Sequence, residues 1–187
     1  MPRYIIFNKP YGVLSTFTDP NDRPTLNTYI DVPNVYAAGR LDLDSEGLLL
    51  LTDDGELIHR LTDPRFDHAK TYCAQVEGAA ENQKLEAIRQ GVVVGGEKLK
   101  PAQVEIIAEP NFPPRSKPVR NYHPTTWLKI ILREGKKHQV RRMTAAAGYP
   151  TLRLVRVAIG PIELGELPPG HWRDLTSSEV QQLQKRI

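Results

Sequence analysis

Residues 39–56 read GRLDLDSEGLLLLTDDGE, and the fold turns on how that stretch is taken. Leucines run without a break from Leu48 to Leu51, between Gly47 and the Asp54-Gly55 pair. An uninterrupted apolar run of this length, bounded by glycine and a turn dipeptide, predicts a buried strand. Six acids flank the leucines (Asp42, Asp44, Glu46, Asp53, Asp54 and Glu56), with Arg40 the one base among them. The acids therefore stand at the two ends of a core strand, a rigid platform on which site chemistry is often placed. Acids at strand ends are also ordinary turn and cap residues, and Asp42 could simply pair with Arg40. Spacing alone leaves both readings open.

Outward from this stretch, the charge is uneven. The chain of 187 residues has a formal charge of only +3. Yet residues 129–142 hold six bases (Lys129, Arg133, Lys136, Lys137, Arg141 and Arg142) against Glu134. A concentrated basic segment is the footprint of a polyanionic partner, although it also reads as a solvated face. The length suits one domain, or two closely packed lobes sharing a cleft. Cys73 is the one cysteine, so no internal disulfide can form, which fits a reducing, cytoplasmic setting. No segment approaches the roughly 18 apolar residues of a membrane span. No signal peptide is visible, and no Cys/His spacing points to zinc.

Residues 3–7 and 35–38 read as strands, and residues 26–30 as one helical turn. Residues 56–61 predict a short helix capped by Asp53 or Asp54. Residues 70–76 alternate as a strand. Residues 81–90 have helical spacing and end at Gly91. Residues 92–94 and 104–107 are expected to pair as a hairpin, with residues 98–103 between them. The proline-rich residues 110–124 read as a loop, and residues 127–132 as a strand. Residues 137–147 predict a helix with Val140, Met143 and Ala147 on its core face. Residues 152–159 predict a strand. Thr176 and Glu179 form a capping-box pattern ahead of a last helix.

GRLDxDSEGLLLLTDDG resembles the second motif of the pseudouridine synthases that modify ribosomal RNA, in the branch named for small-subunit synthase A. The likeness continues through KPYG (9–12), KTYCAQV (70–76) and EGKKHQVRRMTAAAGYPTLRLVRVAIGP (134–161), in the family's order. Only eight residues precede Lys9, which leaves no room for the small RNA-binding S4 domain that many relatives carry. That departure, with residues 125–156, is similar to the E-type large-subunit synthases. The resemblance implies an α+β fold, with a mixed, mainly antiparallel sheet in two lobes and a central cleft. It also implies a single catalytic domain of two subdomains, approximately 1–66 plus C-terminal elements, and 67–142.

The activity implied is conversion of a uridine in ribosomal RNA, most readily the large-subunit RNA, to pseudouridine. The N1–C1′ bond breaks, and the freed uracil turns and is rejoined through C5. No electrons are exchanged, so no cofactor and no metal are expected. The transition state resembles an oxocarbenium sugar, which a carboxylate can stabilise or attack. By resemblance, Asp42 is that carboxylate and Tyr72 the aromatic that stacks on uracil. Arg141 is the base that pairs with Asp42, with Arg142 as rival. Leu154 closes the far side of the pocket, Arg40 enters the stack vacated by the flipped base, and Lys136 and Lys137 contact phosphates. A stem-loop uridine is the expected target and a monomer the expected state. Two rival readings remain. One is a non-catalytic RNA-binding or ribosome-assembly module. The other is a metal-dependent phosphodiesterase built on the two acidic pairs, which the intervening strand would hold apart.

Overall fold

A computed structural model describes residues 1–120 and 122–187. The chain opens with strands β1 (Tyr4–Lys9), β2 (Tyr36–Ala37) and β3 (Glu46–Thr52), then helix α1 (Gly55–Thr62) and strand β4 (Lys70–Glu77). Helix α2 (Asn82–Gln90) follows, with β5 (Val92–Val94), β6 (Glu97–Leu99), β7 (Gln103–Ile107) and β8 (Thr125–Leu132). The last elements are α3 (Gln139–Ala146), β9 (Thr151–Ile159), β10 (Ile162–Glu163), β11 (Trp172–Asp174) and α4 (Ser177–Arg186). The main sheet has the order β11-β1-β3-β9-β4-β8-β7, with β2 on β3 and β10 on β9. Among the described residues its one parallel pairing is β3 with β9. This is the mixed, mainly antiparallel sheet that the resemblance implies.

The leucine run has a physical reason. Leu48 and Leu50 enter a core with Ile6, Leu57, Leu61, Val155 and Leu183. Leu49 and Leu51 enter a second core with Ile5, Phe7, Leu26, Ile30 and Val35. Successive strand side chains point to opposite faces, so a strand covered on both faces must be apolar at every position. A third core lies across the sheet, where Ala74, Val76, Leu85, Ile88, Leu128, Ile130, Met143 and Leu154 pack together. Strand β9 belongs to both halves: Leu154 faces this third core, while Val155 and Ile159 face the first.

The halves meet where Glu46 registers with Val155 and Gly47 with Arg156. Gly47 has φ +108°, and a Cβ there would stand 2.2 Å from the Arg156 carbonyl oxygen. Only glycine permits both that backbone and that approach.

Several expectations need correction. Gly47 lies inside the strand rather than at its boundary. The helix expected over 56–61 is present as α1, and of its two candidate caps Asp54 is the N-cap, accepting from the Leu57 amide. Residues 92–94 do not pair with residues 104–107. β5 pairs with the polar strand β6 in a separate two-stranded sheet, and β7 pairs with β8. The two-residue Gly95-Gly96 turn joins β5 to the next available strand and leaves β7 free for the main sheet. The described residues of 110–124 form no helix or strand; Asn121 lies outside the described residues. The capping box at Thr176 and Glu179 is present on α4. Among the described residues no helix is long and apolar enough to cross a membrane.

Candidate active site

A cleft of about 970 Å³ is lined from both halves. The segment before β3 contributes Arg40, Leu41 and Asp42, β4 contributes Lys70 and Tyr72, and β9 contributes Leu154 and Arg156. The segment leading into α3 contributes Lys136, Lys137 and His138. Of the residues singled out in the sequence, Asp42, Tyr72, Leu154, Arg40, Lys136 and Lys137 line this cleft, whereas Arg141 and Arg142 do not.

The loop that carries Asp42 is pinned from several sides. The Ser15 hydroxyl donates to the Leu41 carbonyl at 2.7 Å and accepts from the Leu41 amide at 3.0 Å. The Gly12 amide donates to the Leu43 carbonyl at 2.8 Å, and the Ser45 amide to the Asp42 carbonyl at 3.0 Å. The KPYG turn thus holds the loop rather than the ligand. Its buried Lys9 donates Nζ to the carbonyls of Pro10 at 2.9 Å and Val13 at 2.6 Å. Burial lowers the Lys9 pKa to about 8, against the opposing pull of Glu46, Asp44 and Asp42.

Asp42 does not pair with Arg141. Arg141 Nη2 donates to the Asp44 carbonyl at 3.1 Å and lies 3.5 Å from the Asp44 carboxylate. Its Nη1 donates to the Thr151 carbonyl at 3.4 Å, and its Nε is buried with no partner among the described residues. Both terminal nitrogens of the guanidinium are therefore spent on the neighbouring acid and on backbone. Arg142 is not the partner either; it bonds Glu97 at 2.8 Å and the Val94 carbonyl at 3.3 Å. The side chain beside Asp42 is instead His138, whose Nε2 lies 3.5 Å from Oδ1. His138 has φ +53° and ψ +32° ahead of α3. A left-handed backbone at a non-glycine residue is costly and tends to mark functional sites. The Asp42 side chain is 41% exposed and that of His138 48%, so the carboxylate stands open to the cleft.

Tyr72 and Leu154 approach from β4 and β9, with Tyr72 partly packed on the third core. Tyr72 registers opposite Arg156 across the two strands. Arg40 is exposed at the mouth. The basic segment is largely engaged already: Lys129 with Glu105, Arg133 with Asp67, and Lys136 with Glu97. Such exposed pairs are weak. Just below the loop, Glu46 and Arg153 form a buried bidentate pair, both bonds 2.9 Å. Nothing in the sequence marks these two as partners, because they lie 107 positions apart. Among the described residues, no three His, Cys, Asp or Glu side chains converge as a metal site would require.

A family model described as RNA pseudouridylate synthase matches residues 3–146. Ribosomal large subunit pseudouridine synthase E of Vibrio parahaemolyticus is 53% identical over 175 residues, spanning 92% of this chain and 74% of that protein. Ribosomal small subunit pseudouridine synthase A of Escherichia coli (strain K12) is 38% identical over 185 residues, spanning 96% of this chain and 73% of that protein. A solved structure described as that of a pseudouridylate synthase superposes with a TM-score of 0.81 at 35% identity, covering 98% of this chain and 74% of that one.

Proposed function

The chain belongs to the RNA pseudouridylate synthase family, and from that premise we propose that it converts a uridine of large-subunit ribosomal RNA to pseudouridine, with Asp42 acting on the sugar. The observation that carries the assignment is the placement of Asp42. It is an open carboxylate on a loop fixed by Ser15, Gly12 and Arg141, facing a cleft whose far wall holds Tyr72 and Leu154. A fixed carboxylate costs no reorganisation when the oxocarbenium sugar develops.

Tyr72 and Leu154 form the slot for a uracil taken out of its stack. Stacking on an aromatic contributes about 1–3 kcal/mol per base, which offsets part of the cost of flipping. Arg40, at the mouth, fills the vacated position in the RNA. Arg141 is a positioning residue that fixes the Asp44 backbone two residues beyond the carboxylate. RNA closing over the cleft removes water from Asp42, which strengthens its interaction with the sugar cation. Lys136 and Lys137 meet phosphates, with Lys136 leaving Glu97 to do so. The reaction is an isomerisation without electron transfer, so it needs no cofactor, and one chain supplies every group named.

The test is tritium release from large-subunit RNA transcripts carrying 5-³H-uridine, with small-subunit transcripts in parallel and Asp42→Asn as control. Release from the large-subunit RNA alone, absent in the variant, is expected. Release that survives in Asp42→Asn overturns the site. Binding without release by the wild-type protein, on naked RNA and on assembly particles alike, would leave only an RNA-binding role.

A further inference from the structure

Two cations in the cleft have no acid to answer them among the described residues. Arg156 is 3% exposed. Its Nε donates to the Leu48 carbonyl at 2.9 Å, while Nη2 is buried without a hydrogen-bond partner. Lys70 lines the same cleft. Burial and the nearby Arg156 both push its ammonium below its ordinary pKa, and no acid opposes them. Arg153, three residues before Arg156, shows the contrast: its guanidinium is matched by both oxygens of Glu46 and by the Pro113 carbonyl. A buried charge without a partner is costly. The cost at Arg156 is relieved when something anionic enters the cleft.

The strand register says where that anion would lie. Arg156 is opposite Tyr72, with Leu154 two residues before it on β9, and Lys70, two residues before Tyr72 on β4, is opposite Ile159 beyond a register shift between Thr71 and Tyr72. Residues two apart on a strand share a face, and Lys70, Tyr72, Leu154 and Arg156 all line the cleft. The cations thus flank the slot for the base, while Asp42 stands on the loop across from it. When the N1–C1′ bond breaks, its electron pair stays with N1. The sugar becomes cationic and uracil leaves as an anion, with its charge shared by N1, O2 and O4. Rejoining through C5 expels the C5 proton and returns a proton to N1, so atoms and charge balance.

Building on the function proposed above, we propose that Arg156 and Lys70 form the anion site that holds the departing uracil through its ring oxygens. Charge developing on the base is then met by fixed cations as the sugar charge is met by Asp42. A phosphate of the same nucleotide is the other anion that could use these groups, and it predicts different kinetics.

The experiment compares wild type, Lys70→Gln, Lys70→Arg and Arg156→Lys on transcripts carrying uridine or 5-fluorouridine at the target. Single-turnover conversion of the target nucleoside is followed by chromatography of nuclease digests, which separates the isomers, and RNA affinity is measured at several salt concentrations. Lys70→Gln should slow conversion of the uridine in the RNA on the order of 10²-fold, at unchanged affinity, and Lys70→Arg should recover most of the rate. The loss should shrink on 5-fluorouridine, because fluorine makes the departing ring a weaker base. Weaker binding, with the salt slope reduced by about one, would assign the cations to a phosphate and overturn the proposal. Unaltered rates, or equal losses on both RNAs, would overturn it too. Should Arg156→Lys fail to fold, the Lys70 variants decide. A wild-type protein that converts neither RNA would instead refute the function itself.

Discussion

The two ends of β3 carry similar acids and use them differently. At the far end, Asp53, Asp54 and Glu56 serve their own surroundings. Asp53 accepts from the Arg3 amide at 2.7 Å, Asp54 caps α1 and accepts from the Tyr4 hydroxyl at 2.8 Å, and Glu56 pairs with Arg60 one turn on. At the near end every basic partner comes from the last third of the chain. Asp42 meets His138, Asp44 meets Arg141, and Glu46 meets Arg153. Acids that satisfy a local helix build the fold. Acids that reach across a seam between half-sheets build a cleft, because their partners arrive only when the halves are assembled.

The sharpest way to break this contrast is Asp42→Asn. Turnover on ribosomal RNA should fall on the order of 10⁴-fold, while the melting temperature and RNA affinity hold. A stability loss instead would place Asp42 with the far-end acids. Next is Glu46→Gln, which leaves Arg153 buried without its charge partner. Urea unfolding should register a loss of about 3–5 kcal/mol, and a loss below about 1 kcal/mol would mean that the buried pair does not hold the seam.

Asp54→Ala should cost about 1 kcal/mol as a lost N-cap and leave turnover unchanged. Its acid dependence sharpens the point. The Leu57 amide holds the Asp54 carboxyl below its ordinary pKa of 3.8. The folded state thus favours the ionised form. The contribution is complete above 3.8 and is lost as pH falls through the lower folded value. Asparagine caps without titrating, so Asp54→Asn should show a shallower loss of stability in acid than wild type. The smallest effect belongs to Glu56→Gln: an exposed helical pair is worth about 0.3–0.5 kcal/mol, measurable only by careful chemical denaturation.

Much of the near end is legible in the amino-acid sequence, but by two different routes. The leucine run, α1 with its aspartate cap and the capping box at Thr176 follow from patterning and local chemistry. Asp42, Tyr72 and Leu154 stand out only through the family likeness, since a strand tyrosine and a strand leucine are ordinary core residues. The true partner of Arg141 is not legible, because helical spacing says only which way a side chain points. It does not say which of two acids, two residues apart, lies at its tip. The left-handed backbone of His138 leaves no mark in composition. The β5–β6 pair is hidden because Glu97-Lys98-Leu99 is too polar and too short to stand out as a strand. Lys70 and Arg156 do carry a signal: each stands two positions from a residue assigned to the base slot, and so shares its face.

Gly47 is the pivot of a caliper. One jaw carries Asp42, four and five residues before the seam, and the other carries Tyr72 and Leu154 on the strands beyond it. A methyl group at the pivot would press on the Arg156 carbonyl and force the jaws apart. The gap into which a nucleotide must fit is therefore gauged by an atom that the chain does not have.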